Sequence, residues 1–141
     1  MLVINIGKRK EYASIVVFIN QDNKVLLLKR ATHANFAPGQ WGLVGGGSEI
    51  NENPTDTAVR ETYEETGLKV VPSSLVKISK TTTPDGKEIH AYACNDFEGT
   101  VNMKQVKDEH DDYRWVDVDK VEDYDTPGNT ANFVKKAVSL F

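Results

Sequence analysis

The segment GGGSEINENPTDTAVRETYEETGL, residues 45–68, places six carboxylates between two turns that are marked by glycine. Asn53 is a good N-cap, and Pro54 suits the first helical position because its missing N–H costs nothing there. Gly67 suits the left-handed residue that commonly ends a helix. These signals predict one helix, Pro54–Thr66.

Three glutamates of this helix share one face. On a helical wheel with Glu61 at 0°, Glu64 falls near roughly 300° and Glu65 near roughly 40°. A neighbouring arc is expected to pack on a sheet, so the carboxylates should point away from the core or along its rim. This arc consists of Thr55, Ala58, Val59, Thr62, Tyr63 and Thr66. Their repulsion and their unfavourable helix-dipole interaction cost only about 0.2–1 kcal/mol each. The spacing leaves two interpretations open. One is a solvated face in which Arg60 pairs with Glu64; the other is a cluster that a divalent cation neutralises, and oxygen ligands suit Mg²⁺ or Mn²⁺.

Runs rich in β-branched and aliphatic residues predict strands on both sides of this helix. The predicted strands are residues 12–20, 25–30, 41–44, 69–71, 75–83, 88–95 and 113–116. The polar residues 21–23 predict a hairpin turn between the first two strands. Residues 129–141 show the apolar spacing of a second helix. This order predicts an α/β (α+β) fold with a mixed β-sheet flanked by helices.

The composition is that of an ordinary globular chain. A length of 141 residues predicts a single domain, residues 1–141. A net charge of -4 and a pI near 5.4 argue against binding a long nucleic acid, which requires a basic surface. Cys94 is the only cysteine, so an internal disulfide is excluded. No apolar run is long enough for a membrane span or a signal peptide, and we expect a cytoplasmic protein.

The spacing of the charged residues in the acidic segment resembles a known motif. Gly46, Glu52 and the run Arg60-Glu61-Thr62-Tyr63-Glu64-Glu65-Thr66-Gly67-Leu68 match the Nudix box, G-x5-E-x7-R-E-U-x-E-E-x-G-U, where U is aliphatic. Thr62 is the one departure, and as a β-branched residue it can still pack. The chain therefore resembles the Nudix hydrolase family and, within it, the MutT-like pyrophosphohydrolases.

The resemblance implies an α/β/α sandwich and the hydrolysis of a nucleoside diphosphate linked to another group X, with Mg²⁺ as cofactor or Mn²⁺ as a substitute. Carried over position by position, the metal ligands would be Glu61, Glu64 and Glu65, with the Gly46 carbonyl as a further ligand. Glu52 and Arg60 would form a structural ion pair. One of the glutamates, Glu61 or Glu64, would alternatively act as the general base on the attacking water.

Residues outside the motif are assigned less directly. Lys29 and Arg30 end a strand and are candidates for binding phosphates. Glu109 and His110 lie in residues 108–115, where many Nudix enzymes carry an acidic metal ligand or base, so both are candidate catalytic residues. The same stretch is similar to one in GDP-mannose mannosyl hydrolases. Asn129 is a candidate for reading a base edge or a sugar, although a helix cap is the competing interpretation.

We expect an Mg²⁺-dependent pyrophosphohydrolase that acts on a small free nucleotide, such as a (d)NTP. Sugar nucleotides, ADP-ribose, dinucleoside polyphosphates and dihydroneopterin triphosphate are alternative substrates. A non-catalytic nucleotide-binding module is the alternative from another class, and it predicts lost motif carboxylates, of which there are none. The expected partner is a small-molecule nucleotide, with no long nucleic acid and no membrane. The oligomeric state stays open, and a homodimer is compatible with the sequence.

Overall fold

The computed structural model describes residues 12–102 and 109–141, which form seven strands, two α-helices and two short 3₁₀ helices. In chain order the elements are β1 (Tyr12–Phe18), β2 (Lys24–Arg30), β3 (Trp41–Gly42), β4 (Val44–Gly47), α1 (Pro54–Thr66), β5 (Val76–Thr82), β6 (Glu88–Cys94), β7 (His110–Asp117) and α2 (Thr130–Val138), with 3₁₀ helices at Pro72–Ser74 and Val118–Asp123. Within the described residues, no helix combines the length and the apolar character needed to span a membrane.

The strands form two sheets. A four-stranded mixed sheet has the order β4-β1-β6-β5, and β1 runs parallel to β6, from Tyr12 opposite Glu88 to Phe18 opposite Cys94. A three-stranded antiparallel sheet has the order β3-β2-β7. The predicted mixed α and β architecture is therefore confirmed.

The predicted hairpin between the first two strands is wrong as a sheet pairing. A turn does connect β1 to β2, but the two strands meet only at the single bridge between Ile19 and Val25 and then enter different sheets. Turn residues report a reversal of the chain, but they do not report which strand becomes the hydrogen-bonded partner.

Two apolar cores are built on alternate residues of β1 and β2, because successive side chains of a strand point to opposite faces. One core joins these strands to α1 and the other joins them to α2. The first contains Val16, Phe18, Leu26, Leu28, Ala58 and Leu68, and the second contains Val17, Ile19, Val25, Leu27, Val134 and Ala137. Each fully buried valine, leucine, isoleucine or phenylalanine side chain contributes about 1.5–3 kcal/mol to the free energy of unfolding. The sheets are thus held between the two helices.

Helix α1 has the predicted ends. The Asn53 side chain accepts from the Asp56 amide at 2.9 Å, and Gly67 adopts φ 77°. Its predicted inner face is partly wrong, because Tyr63 is 41% exposed whereas Glu65 is buried. The inner face packs on β4, where the Gly45 amide donates to Glu65 and the Glu61 carboxylate lies against Gly46.

The other element ends differ modestly from the predictions. Strand β7 begins at His110 rather than at 113, since it pairs with β2 along most of its length despite its polar residues. Residues 69–71 form one bridge, between Lys69 and Glu98, and not a regular strand. Helix α2 spans Thr130–Val138, inside the predicted 129–141.

Candidate active site

A cavity of about 130 Å³ opens where β4, the second half of α1 and the start of β7 meet. Its lining consists of Gly45, Gly46, Gly47, Glu61, Glu64, Glu65, Glu109 and His110. Four of these residues carry carboxylates, and none of the described lining residues is a lysine or an arginine. The fold therefore brings the three helix glutamates together with both candidates from the second acidic stretch.

The glycines of β4 allow this close approach. A Cβ at Gly46 would lie 2.4 Å from Cδ of Glu61 and 2.6 Å from its Oε2, so only glycine lets this carboxylate lie against the strand. A Cβ at Gly45 would lie 2.3 Å from the Ser14 carbonyl oxygen of β1. A Cβ at Gly47, in contrast, would have no atom within 4 Å. The backbone of Gly46 is thus in direct contact with a predicted metal ligand.

Arg60 connects the loop before α1 to the carboxylates at the cavity. Its Nε and Nη2 donate to the two Glu52 oxygens at 2.8 and 3.0 Å, and Nη2 also donates to the Gly47 carbonyl at 2.8 Å. Its Nη1 donates to Glu61 at 2.9 Å and to Glu64 at 3.1 Å. The predicted partners Glu52 and Arg60 thus form a bidentate pair, and Arg60 orients two cavity carboxylates as well.

The charges of the Glu52–Arg60 pair are stable at neutral pH. The hydrogen bond from Arg60 is the main cause that lowers the pKa of Glu52 from 4.5 to about 2, opposed in part by burial. The same bond raises the pKa of Arg60. Glu52 is therefore a carboxylate, and Arg60 a cation, over the whole physiological range.

Glu65 is the buried member of the cluster. Its Oε1 accepts the Gly45 amide at 2.8 Å, and its side chain is only 9% exposed. Burial is the main cause that raises its pKa well above 4.5, and the charges of Glu61 and Glu109 raise the pKa further, against the Gly45 hydrogen bond. A positive charge placed in the cavity would offset these unfavourable terms, because it favours the ionised form.

His110 lines the cavity beside Glu65, with Nδ1 3.7 Å from Glu65 Oε2 and with a side chain that is 2% exposed. Burial, followed by the charge of Arg30, lowers its pKa from 6.5 to about 4. The imidazole is therefore neutral at pH 7. Among the described residues, no partner hydrogen-bonds to Nδ1.

Carboxylate and main-chain oxygens around a small cavity are the donors that suit Mg²⁺ or Mn²⁺. Within residues 12–102 and 109–141, no three acidic, histidine or cysteine side chains converge on a point where they could hold a metal ion together. Glu61 and Glu64 are hydrogen-bonded to Arg60, and Glu65 is hydrogen-bonded to Gly45. Mg²⁺ commonly takes one or two carboxylates and completes its shell with water and substrate phosphates. The donor set fits such an ion.

The remaining predicted residues lie at different distances from the cavity. Arg30 pairs with His110 in register, and its charge acts on Glu65 and His110, so it lies at the edge of the site. Lys29 pairs with Trp41 and Asp112 and, by strand alternation, belongs to the other face of β2.

Two further candidates lie at the ends of loops. Asn129 occupies the N-cap position of α2, as the competing interpretation expects, although its side chain makes no cap hydrogen bond. Glu109 is exposed, and its carbonyl accepts the Ala31 amide at 2.8 Å, which fixes the start of β7 to the loop after β2. Residue 108 lies outside the described residues.

Two main-chain groups of the site did not enter the sequence-based predictions. The Gly45 amide holds Glu65, and the Gly47 carbonyl holds Arg60. The signal was present in the run of three glycines, since consecutive glycines in a strand often mark a close approach of another group. Which group approaches depends on the packing of α1 and is not readable from the run itself.

Comparisons with known proteins agree with this geometry. The model of the NUDIX domain family matches residues 8–137. The nucleoside triphosphatase NudI of Klebsiella pneumoniae (strain 342) is 31% identical over 116 residues, which cover 76% of this chain and 82% of that protein.

Solved structures agree in fold. The MutT NUDIX hydrolase of Burkholderia pseudomallei has a TM-score of 0.72 at 21% identity, covering 92% of this chain and 98% of that one. The NUDIX domain of Shewanella oneidensis NrtR, solved with ADP ribose, has a TM-score of 0.74 at 20% identity, covering 94% and 89%. The motif, the cavity and the family match together show that the chain belongs to the NUDIX domain family and is a Nudix hydrolase, an enzyme of the pyrophosphohydrolase class.

Proposed function

We propose that this enzyme hydrolyses the phosphoanhydride of a small free nucleotide, a nucleoside or deoxynucleoside triphosphate, with Mg²⁺ as its cofactor. The observation that carries the proposal is the cavity in which Glu61, Glu64, Glu65 and Glu109 face the glycines of β4. The identity to NudI proteins, which are named nucleoside triphosphatases, supports a triphosphate as the substrate.

The carboxylates have two tasks in this proposal, which are to bind the metal ion and to act as general base. Glu61, Glu64 and Glu65, with the Gly46 carbonyl, would hold the ion, which when bound neutralises the anionic phosphates so that water can attack phosphorus. Arg60 limits the motion of Glu61 and Glu64, because one Nη1 group donates to both. The Gly45 amide does the same for Glu65. The chain therefore supplies ligands whose positions are set before the substrate binds.

Glu109 is the group we assign as general base. It is exposed at the start of β7 while lining the cavity, so it meets solvent water and the substrate at the same place. His110 is the weaker candidate, because burial lowers its pKa to about 4 and its side chain is only 2% exposed. We assign to His110 a packing role, in which it closes the cavity beside Glu65. A general base contributes about 10²–10⁴-fold to a rate.

The experiment is a substrate screen with product identification. Purified protein is incubated with Mg²⁺ or Mn²⁺ and a panel of (d)NTPs, ADP-ribose, GDP-mannose, dinucleoside polyphosphates and dihydroneopterin triphosphate. Turnover of a triphosphate with release of pyrophosphate or phosphate is expected, and ¹⁸O-labelled water identifies the phosphorus that is attacked. Faster turnover of ADP-ribose or a sugar nucleotide than of any triphosphate would contradict the substrate assignment.

Variants separate the roles of the residues. Glu64→Gln removes a ligand charge at constant shape and should abolish turnover, and Glu109→Gln should lower kcat about 10²–10⁴-fold with little change in metal affinity. Glu122→Gln is the matched control, since that side chain is 66% exposed and pairs with Lys135 away from the cavity. Binding of nucleotide without any turnover across the panel would favour a non-catalytic nucleotide-binding module instead.

A further inference from the structure

Phe36 lies against Arg30 and is 59% exposed. A single exposed aromatic residue needs no explanation by itself. Its contacts are the informative feature, because Arg30 Nε donates to the Phe36 carbonyl and the Arg30 guanidinium lies 5.5 Å from the centre of the Phe36 ring. One residue thus contacts Arg30 through both its main chain and its side chain.

The loop that carries Phe36 is closed onto the end of β2. The Arg30 amide donates to the Gln40 carbonyl at 2.8 Å, and the Gly39 amide donates to the Arg30 carbonyl at 2.9 Å. Gly39 adopts φ 74°, a left-handed conformation that glycine adopts without strain. These bonds return the loop that carries Phe36 to the main chain of Arg30.

Arg30 is a strand neighbour of the cavity, although it is not one of the residues that line it. Arg30 is paired in register with His110, and its charge is felt by both Glu65 and His110. Among the described residues, its only side-chain hydrogen bond uses Nε, and its Nη groups hydrogen-bond to none of them. Those Nη groups carry four of the five N–H donors of a guanidinium, in the geometry that matches phosphate oxygens.

We propose that Phe36 is a positioning residue, which holds the Arg30 guanidinium in the orientation that receives the phosphates of the substrate. The inference rests on the proposed function, because it takes a phosphate-bearing substrate as given. An arginine that is free to rotate loses conformational entropy when it binds an anion, whereas one already held by a ring and a carbonyl loses less. Phe36 acts in this way through Arg30, without touching the substrate.

The test begins with Phe36→Ala, which removes the ring but keeps the carbonyl that accepts Arg30 Nε. Loss of an exposed cation–π contact and of its positioning should lower kcat/KM roughly three- to tenfold, mainly through KM. Phe36→Tyr keeps a ring and should restore at least half of the wild-type value. Phe141→Ala is the matched control, since Phe141 is 48% exposed after the end of α2 and is not a cavity residue.

A double-mutant cycle tells positioning from direct contact. If Phe36 acts through Arg30, Phe36→Ala should have no further effect in an Arg30→Ala background. An unchanged three- to tenfold effect in that background would overturn the proposal, because Phe36 would then contact the substrate itself. A wild-type kcat/KM in the Phe36→Ala variant would also overturn it.

Binding of inorganic pyrophosphate in the presence of Mg²⁺, measured by titration calorimetry, gives a readout besides turnover. Both single variants should weaken this binding, and the double variant should bind no more weakly than Arg30→Ala. An undiminished affinity in Phe36→Ala would contradict the inference even if the enzyme hydrolysed no member of the nucleotide panel. Failure of the panel with weakened pyrophosphate binding would instead contradict only the proposed triphosphate substrate.

Discussion

Replacement of Gly46 by alanine should abolish most of the activity while leaving the fold intact. The added Cβ would lie 2.4 Å from Cδ of Glu61, and 3.4 Å is the lower limit of an ordinary contact. Glu61 must therefore move by about 1 Å, and a misplacement of this size in a catalytic group can cost about 10²-fold in rate. The corresponding loss of transition-state stabilisation is about 2.7 kcal/mol.

The fold should tolerate the same change, because the atoms that the Cβ meets are the end of a flexible side chain. We expect the free energy of unfolding of Gly46→Ala to lie within about 1 kcal/mol of wild type. The neighbouring glycines provide the comparison. Gly45→Ala brings its Cβ within 2.3 Å of the Ser14 carbonyl oxygen and should destabilise the fold, whereas the Cβ of Gly47→Ala meets nothing within 4 Å.

The assay for Gly46→Ala combines steady-state kinetics on the best substrate of the panel with urea denaturation of the same preparation. Wild-type kcat in a folded Gly46→Ala protein would refute the close contact between Glu61 and β4. A stability loss as large as that of Gly45→Ala would also refute the reasoning, since the activity loss would then follow from unfolding.

Three further predictions concern the charges of the site. Glu52→Gln should lower the free energy of unfolding by about 1.5–3 kcal/mol, as expected for hydrogen bonds to a charged group. In the wild type this contribution should be present above pH 4.5 and lost as the pH falls towards 2, because the pKa of Glu52 is lower in the folded state than in the unfolded state. An unfolding free energy of the wild type that is flat between pH 4.5 and 2 would contradict the prediction. Glu65→Gln should keep the hydrogen bond from the Gly45 amide and remove a buried charge. In EDTA the melting temperature of this variant should therefore equal or exceed that of wild type, while its turnover is lost. A lower melting temperature would show that the ionised form of Glu65 is not disfavoured. Removal of divalent ions with EDTA should stop hydrolysis, and Mg²⁺ should restore it in wild type but not in Glu64→Gln; residual turnover in EDTA would contradict metal dependence.

Much of helix α1 could be predicted from local sequence. Asn53, Pro54 and Gly67 act on their own turns, so their effect on the start and end of α1 does not depend on the remainder of the chain. The spacing of the motif residues is likewise a property of the linear chain, and it led to the family. The prediction of the inner face of α1 was partly wrong because polarity alone assigns Glu65 to solvent, while the Gly45 amide of β4 holds this carboxylate in the interior.

Contacts between distant segments were decided only by tertiary structure. Strands β1 and β2 follow each other through a turn, yet they pair in different sheets because each finds better partners far along the chain, β6 for one and β7 for the other. The contact between Arg30 and Phe36 depends on a loop that returns to its own strand.

The helix, its caps, the acidic motif and the class of chemistry could be predicted from local sequence, because each depends on residues within a few turns of one another. The folded chain was needed to show which carboxylate is buried, which backbone amide holds it, and which second acidic segment completes the cavity. Those properties arise from burial and from hydrogen bonds between elements that only folding brings together.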